Sequence, residues 1–339
     1  MKKPQKPHWI ISIRSDRNSP LTPPIGPAML STLMVVLPIF ALVLAGWLAR
    51  RTGVLGPQAT TELTRFVVYL ALPALLFDII AHARWRDVWQ PGFIATFGLS
   101  SLLIFAVTVA VRLRRPRHLA DAAIDGLNAG YANAGFMGFP LALVALGRQA
   151  MAPTLIATLI TVCAVFAIAI VLIEIGLQAE TRRTHLVLNV GSSLLRNPLL
   201  VAPALGALVP LAGVGIPTQV ETFLKLLGGA ASPTALVALG LFLAAKRAPA
   251  DQDGGSTALL VGFKLVLQPV VAWVLASFVF GLTPLLTHAA VLLAALPTGT
   301  GPFMLAEFYR REASVTSNVI LVSTILSILT VSGYLAVAG

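Results

Sequence analysis

Long apolar runs without a single charged residue recur along the chain, among them Gly92 to Val111, Pro153 to Ile173, Leu226 to Ala245 and Ser314 to Ala338. Each has the ~20 residues that cross ~30 Å of hydrocarbon at ~1.5 Å per residue. The pattern predicts ten membrane-spanning helices: Leu30 to Leu48, Leu63 to Ile80, Gly92 to Val111, Ala122 to Leu146, Pro153 to Ile173, Leu186 to Val209, Phe223 to Ala245, Thr257 to Gly281, Thr287 to Glu307 and Ser314 to Ala338. Short polar links separate them, which leaves no room for a soluble domain.

Composition agrees with that reading. Hydrophobic residues fill 57% of 339 positions and charged ones 11%, where a soluble domain carries about 25% charged side chains. The net charge of +11 is not a nucleic-acid signature, because the basic residues sit in short clusters between apolar runs. Arg50, Arg51, Arg112, Arg114, Arg115, Arg117, Arg182, Arg183, Lys246, Arg247, Arg310 and Arg311 fall on one set of alternate links, and only Arg84, Arg86 and Arg148 on the other. By the positive-inside rule the first set is cytoplasmic, so both termini face outward. Residues 1–28 oppose this bias with Lys2, Lys3, Lys6, Arg14 and Arg17. This polar, Pro-rich stretch has no apolar signal core and is expected to be a disordered extension or an over-long start before Met29. Cys163, the single cysteine, lies in an apolar run and is read as packing.

An internal repeat underlies the ten spans. A shift of 160 residues sets Gly46 on Gly206, Gly53 on Gly213, Val54 on Val214, Pro57 on Pro217, Pro73 on Pro233 and Leu76 on Leu236, with basic Arg65 on Lys225. Five helices are an odd number, so tandem copies enter the bilayer in opposite directions, the inverted-repeat logic of secondary transporters. The halves are 29–177 and 188–339, joined by a short cytoplasmic linker, 178–187.

Two spans carry helix-breaking residues in matching places. The fourth holds Asn128, Gly130, Asn133, Gly135, Gly138 and Pro140, and the ninth Pro297, Thr298, Gly299, Thr300, Gly301 and Pro302. Proline removes a backbone donor and glycine accepts dihedrals closed to other residues, so both helices are expected to break in mid-membrane. Freed backbone groups there are tolerated only against protein, water or ligand. Converging half-helix N-termini offer partial positive charge and free amides, an anion site that needs no lysine or arginine. Close helix packing and simple kinking are the alternative reading for such glycines and prolines. The candidate substrate-binding residues are Asn133, Gly135, Gly138, Pro140, Pro297, Thr298, Gly299 and Thr300, with Asn133 and Thr298 foremost.

Ionisable groups inside spans are costly and are functional candidates by default. Asp78 either binds a coupling cation or reaches interfacial water. Asp125 snorkels, contacts Lys264 or shuttles a proton. Lys264 and Gln268 stand one helical turn apart on the eighth span and present donors to one face, unless Lys264 snorkels to the interface. Asn128 joins these as a polar candidate. Glu174, Glu307 and Arg196 lie at span ends, where headgroup contact suffices, and Trp85 and Trp89 suit an aromatic belt. Neither HExxH, GxSxG nor a Walker loop is present, so neither an enzyme nor an ATP-driven pump is indicated, and no metal or cofactor site is expected.

Four stretches, "RFVVYLALPALLF" (65–77), "NAGFMGFP" (133–140), "RNPLLVAPALG" (196–206) and "SPTALVALG" (232–240), resemble the auxin efflux carrier family, including its bacterial malonate and malate transporter members. The similarity runs from about Met29 to the C-terminus. It implies an all-α fold of ten helices in two inverted repeats, with helices four and nine crossing at prolines that here correspond to Pro140 and Pro297, and an amide at Asn133 before the crossing. It also implies carriage of organic anions (malonate, malate or auxin-like weak acids) across the bacterial inner membrane. The long regulatory loop of plant members is absent. The coupling ion, proton or sodium, stays open, as does homodimer formation. A cation/proton antiporter of similar architecture is the alternative, and an intramembrane enzyme is the weakest reading.

Overall fold

The computed structural model describes residues 25–82, 89–114, 116–179, 186–213, 215–245 and 254–338. The N-terminal tail through residue 24, Arg84, Trp85, Arg86, Asp87, Arg115, Arg182, Arg183, Lys246 and Arg247 lie outside the described residues. Everything described is helix and short connection, with no strand. The helices are α1 (Ile25–Arg51), α2 (Ala59–Ala81), α3 (Pro91–Leu113), α4 (Leu119–Gly130), α5 (Ala134–Leu146), α6 (Arg148–Gln178), α7 (Leu186–Arg196), α8 (Pro198–Ala212), α9 (Thr218–Ala244), α10 (Gly254–Val279), α11 (Pro284–Ala294), α12 (Gly301–Phe308) and α13 (Ala313–Ala338). Six of them, α2, α3, α6, α9, α10 and α13, are long and apolar enough to cross a membrane. The protein is a polytopic membrane protein.

Where the sequence predicts one span from Leu186 to Val209, the chain forms α7 and α8 instead. Asn197 separates them. Its side chain accepts a hydrogen bond from Leu199 N–H at 3.0 Å and Pro198 opens the next helix, so an N-cap and an N1 proline restart the helix at that point. Proline has a milder effect elsewhere. Wide helical turns at Val67–Ala71, Ala134–Gly138 and Phe263–Leu267 immediately precede Pro73, Pro140 and Pro269. A proline cannot donate to the carbonyl four residues back, and a widened turn absorbs that loss without stopping the helix.

Two bundles result. α1 packs on the second half of α9, while the second half of α2 packs on α8 and α9. Against them stand α3 to α6 and α10 to α13, where α3 lies on α4, α4 on α6, and α10 on α13. Glycines let the first bundle close tightly. A Cβ on Gly46 would strike the Val237 carbonyl, and one on Gly206 would stand 2.8 Å from the Phe77 carbonyl. These two contacts are related to each other by the same 160-residue shift that aligns the sequence halves.

Candidate functional site at two crossed helix breaks

α4 stops at Gly130 and α11 at Ala294, and the segments that follow cross as extended chain. Ala132 and Thr298 form an antiparallel bridge, in which Asn133 N–H donates to Pro297 O at 2.9 Å and Gly299 N–H to Tyr131 O at 3.1 Å. Each break thereby satisfies backbone groups of the other, which a lipid-buried interruption requires. The Thr298 hydroxyl donates to Asn128 O at 2.7 Å and its N–H to Ser323 Oγ at 3.2 Å.

The break expected at Pro140 therefore lies eight residues earlier, at Ala132. Pro140 sits exposed within α5 behind one of the widened turns. In the ninth span Pro297 is at the crossing itself, and its carbonyl is part of the bridge.

Beside the crossing is a cavity of about 380 Å³ between the two bundles. Asn133, Gly135, Gly299 and Thr300 line it, whereas Gly138, Pro140, Pro297 and Thr298 do not. Gly138 packs on Leu293 and Thr154, and Thr298 is fully buried in the bridge. Tyr131, Thr158 and Ser232 contribute further polar groups, and the remaining wall is mostly aliphatic and aromatic, from Val67 and Leu75 to Phe136 and Met304. None of the lining residues is charged. Both α5 and α12 begin on this wall, at Asn133 to Gly135 and Thr300 to Gly301, so their N-terminal ends and neutral hydrogen-bonding side chains supply its polarity.

Tyr131 and Thr158 are not singled out by the sequence. Tyr131 is the more telling of the two, because its ring packs on Phe166 at 5.6 Å between centroids and seats on Gly299 and Gly301. A Cβ at either glycine would stand 2.8 Å from the ring. An aromatic residue between Gly130 and Asn133 was the available signal.

The remaining polar candidates lie away from the cavity wall. Asn128 is fully buried and donates to Thr316 Oγ1 at 2.9 Å. Asp125 does not meet Lys264, since Arg112 Nε approaches its Oδ2 at 2.7 Å and Arg117 Nε at 2.8 Å. Arg112 also donates to Ser256 Oγ at 2.6 Å and Arg117 pairs with Glu312 at 3.1 Å. With the Asp121–Arg311 pair, these contacts gather the ends of α3 and α12 and the starts of α4, α10 and α13. Asp78 lies near the far end of α2, where its carboxylate is 3.0 Å from His82 Nδ1, and His82 Nε2 is 3.8 Å from Glu221, which pairs with Lys225. Lys264 does not snorkel: it is fully buried, donating to Gln268 Oε1 and Ala294 O, both at 2.6 Å.

This all-helical polytopic membrane protein, with a small neutral cavity at paired helix breaks, falls by its family among the membrane transport proteins. Residues 31–335 match the family described as "Membrane transport protein", and the chain belongs to this family, that of the auxin efflux carriers. It is 31% identical over 305 residues to a "Putative malonate transporter" of Rhizobium meliloti, covering 89% of this chain and 94% of that one. It is 25% identical to the "Uncharacterized transporter YfdV" of Escherichia coli K12, over 80% and 86% of the two chains. To "Auxin efflux carrier component 3a" of rice it is 30% identical, over 43% of this chain and 24% of that one. The chain is a membrane transporter and not an enzyme.

Proposed function

We propose that the protein carries small organic anions, carboxylates such as malonate, malate or auxin-like weak acids, through the cavity at the crossed breaks by alternating access. The observation that carries this reading is the placement of two helix N-termini, α5 and α12, on one uncharged wall with Asn133 and Thr300. Free amides and the positive ends of helix dipoles recognise an anion, and a carboxylate is the simplest one that fits about 380 Å³.

The transport cycle moves the α1, α2, α8, α9 bundle against the other, since the cavity lies between them. Ten spans in two inverted repeats give that motion its symmetry. Support comes from the reciprocal contacts of Gly46 with Val237 and Gly206 with Phe77. Support for the topology comes from the ion pairs of Arg112, Arg117 and Arg311, which join span ends that the arginine distribution assigns to the cytoplasm of a bacterial inner membrane, with both termini outside. The antiporter reading is weakened because Asp125 is held by two arginines.

Purified protein in liposomes is expected to take up radiolabelled malonate or a related carboxylate, and Asn133→Ala to slow uptake at least tenfold at an unchanged melting temperature. Uptake equal to wild type in that variant would remove Asn133 from the site.

A further inference from the structure

The carbonyl ends of both interrupted helices converge on one helix, α10. Ala294 closes α11, and its carbonyl accepts from Lys264 Nζ at 2.6 Å. Gly130 closes α4, and its carbonyl accepts from Gln268 Nε2 at 3.4 Å. Lys264 and Gln268 are joined at 2.6 Å, and Gln268 also donates to Ser101 Oγ at 3.1 Å. Lys264, Gln268 and Ser101 are all sealed from solvent. Helix C-termini carry about half a negative charge each, and the last carbonyls of a helix have no partner within it. Two such ends meeting in a buried interior attract a cation. Both observed Lys264 bonds go to neutral oxygens, while Asp125 is engaged by Arg112 and Arg117.

We propose that Lys264 is the transporter's tethered cation: its ammonium occupies the place at the converging carbonyl ends that a coupling metal ion would otherwise fill, and through Gln268 it holds the two breaks together. Lys264 is thus a positioning residue for the crossing, distinct from the cavity wall. Transport proceeds without sodium, and deleting the side chain leaves a pocket that a free small ammonium can enter. The transport reading underlies only the flux consequence; the architecture of the cation site stands apart from it.

The test uses the full chain purified in detergent. Wild type is expected to melt at the same temperature in sodium chloride and choline chloride. Lys264→Ala, purified in methylammonium chloride, is expected to melt roughly 5 °C lower after exchange into choline, and to regain at least half of that loss when methylammonium is restored. Tetramethylammonium, which has no N–H donor, is expected to restore nothing, and Lys264→Met, which fills the space without charge, to stay low in every salt. A lysine that serves only to fill volume would not produce this pattern. A Lys264→Met variant as stable as wild type, saturable stabilisation of wild type by sodium, or a Lys264→Ala variant that neither folds nor recovers in methylammonium would each overturn the proposal. Carboxylate uptake is read separately: sodium-independent flux supports the tethered cation, and sodium-dependent flux contradicts it. Absence of any carboxylate flux would remove the substrate assignment while leaving the melting result to decide on Lys264.

Discussion

Gly299 has a role that only its neighbour explains. A side chain there would press on the Tyr131 ring at 2.8 Å, and that ring is in turn backed by Phe166. Gly299→Ala is therefore expected to displace the ring, at a cost of about 1–3 kcal/mol, and to weaken carboxylate binding about tenfold. Thermal melting and equilibrium binding check both effects. Adding Tyr131→Ala should recover part of the stability, because the two changes share one contact. At this scale the sequence is informative about chemistry and poor on position. Asn133, Gly135, Gly299 and Thr300 reach the cavity wall, but Thr298 is taken up by the bridge and Pro140 lies off the wall. The reason is that a proline marks a lost hydrogen bond without saying whether the chain answers with a break or a widened turn. Pro73 and Pro269 show the same widened turn in unbroken helices.

Helices meet in this protein through glycines and are pinned by buried ions. A Cβ on Gly240 would strike the Val43 carbonyl on α1, so Gly240→Val should force α1 and α9 apart and cost about 3 kcal/mol or more, seen as a lower melting temperature and a smaller folded yield. Asp125 is the common partner of Arg112 and Arg117, and its side chain is 2% exposed. Asp125→Asn would leave a buried guanidinium without its counter-ion, a loss of about 3–5 kcal/mol. If melting of Asp125→Asn matches wild type, the network is not stabilising. Six of the expected spans reappear as unbroken helices long and apolar enough to cross a membrane, because an uncharged run of membrane length has few other uses. The run from Leu186 to Arg196 departs from the single helix expected there. Its apolar residues sit among Asn189, Ser192 and Ser193, and the cap at Asn197 looks from sequence alone like any polar residue within a span.

At the scale of the whole molecule, the proposed transport cycle needs two halves inserted in opposite senses. Gln58 and Thr218 are equivalent under the 160-residue shift and both are exposed. In a background with Cys163 replaced by alanine, Gln58→Cys should react with a membrane-impermeant maleimide only from the cytoplasmic side, and Thr218→Cys only from outside. Labelling of both from one side would refute the inverted arrangement. The sequence signal for a repeat is only a scatter of Gly and Pro matches at the 160-residue shift, since close backbone approach calls for glycine and leaves most other side chains free to differ. The reciprocal placement of Gly46 and Gly206 against Val237 and Phe77 could not be read from one chain without its fold. Neither could the meeting of Lys264 with Ala294, thirty residues away.

The central claim is that a carboxylate binds where α5 and α12 begin. Equilibrium binding of radiolabelled malonate, and of an auxin-like weak acid in parallel, to the purified wild type and to Thr300→Trp tests it most directly, because an indole at that position fills the cavity from its wall. The account predicts saturable binding to wild type and loss of at least tenfold in affinity in a Thr300→Trp variant that still melts cooperatively. Equal affinity in the two proteins, with the indole in place, would contradict it.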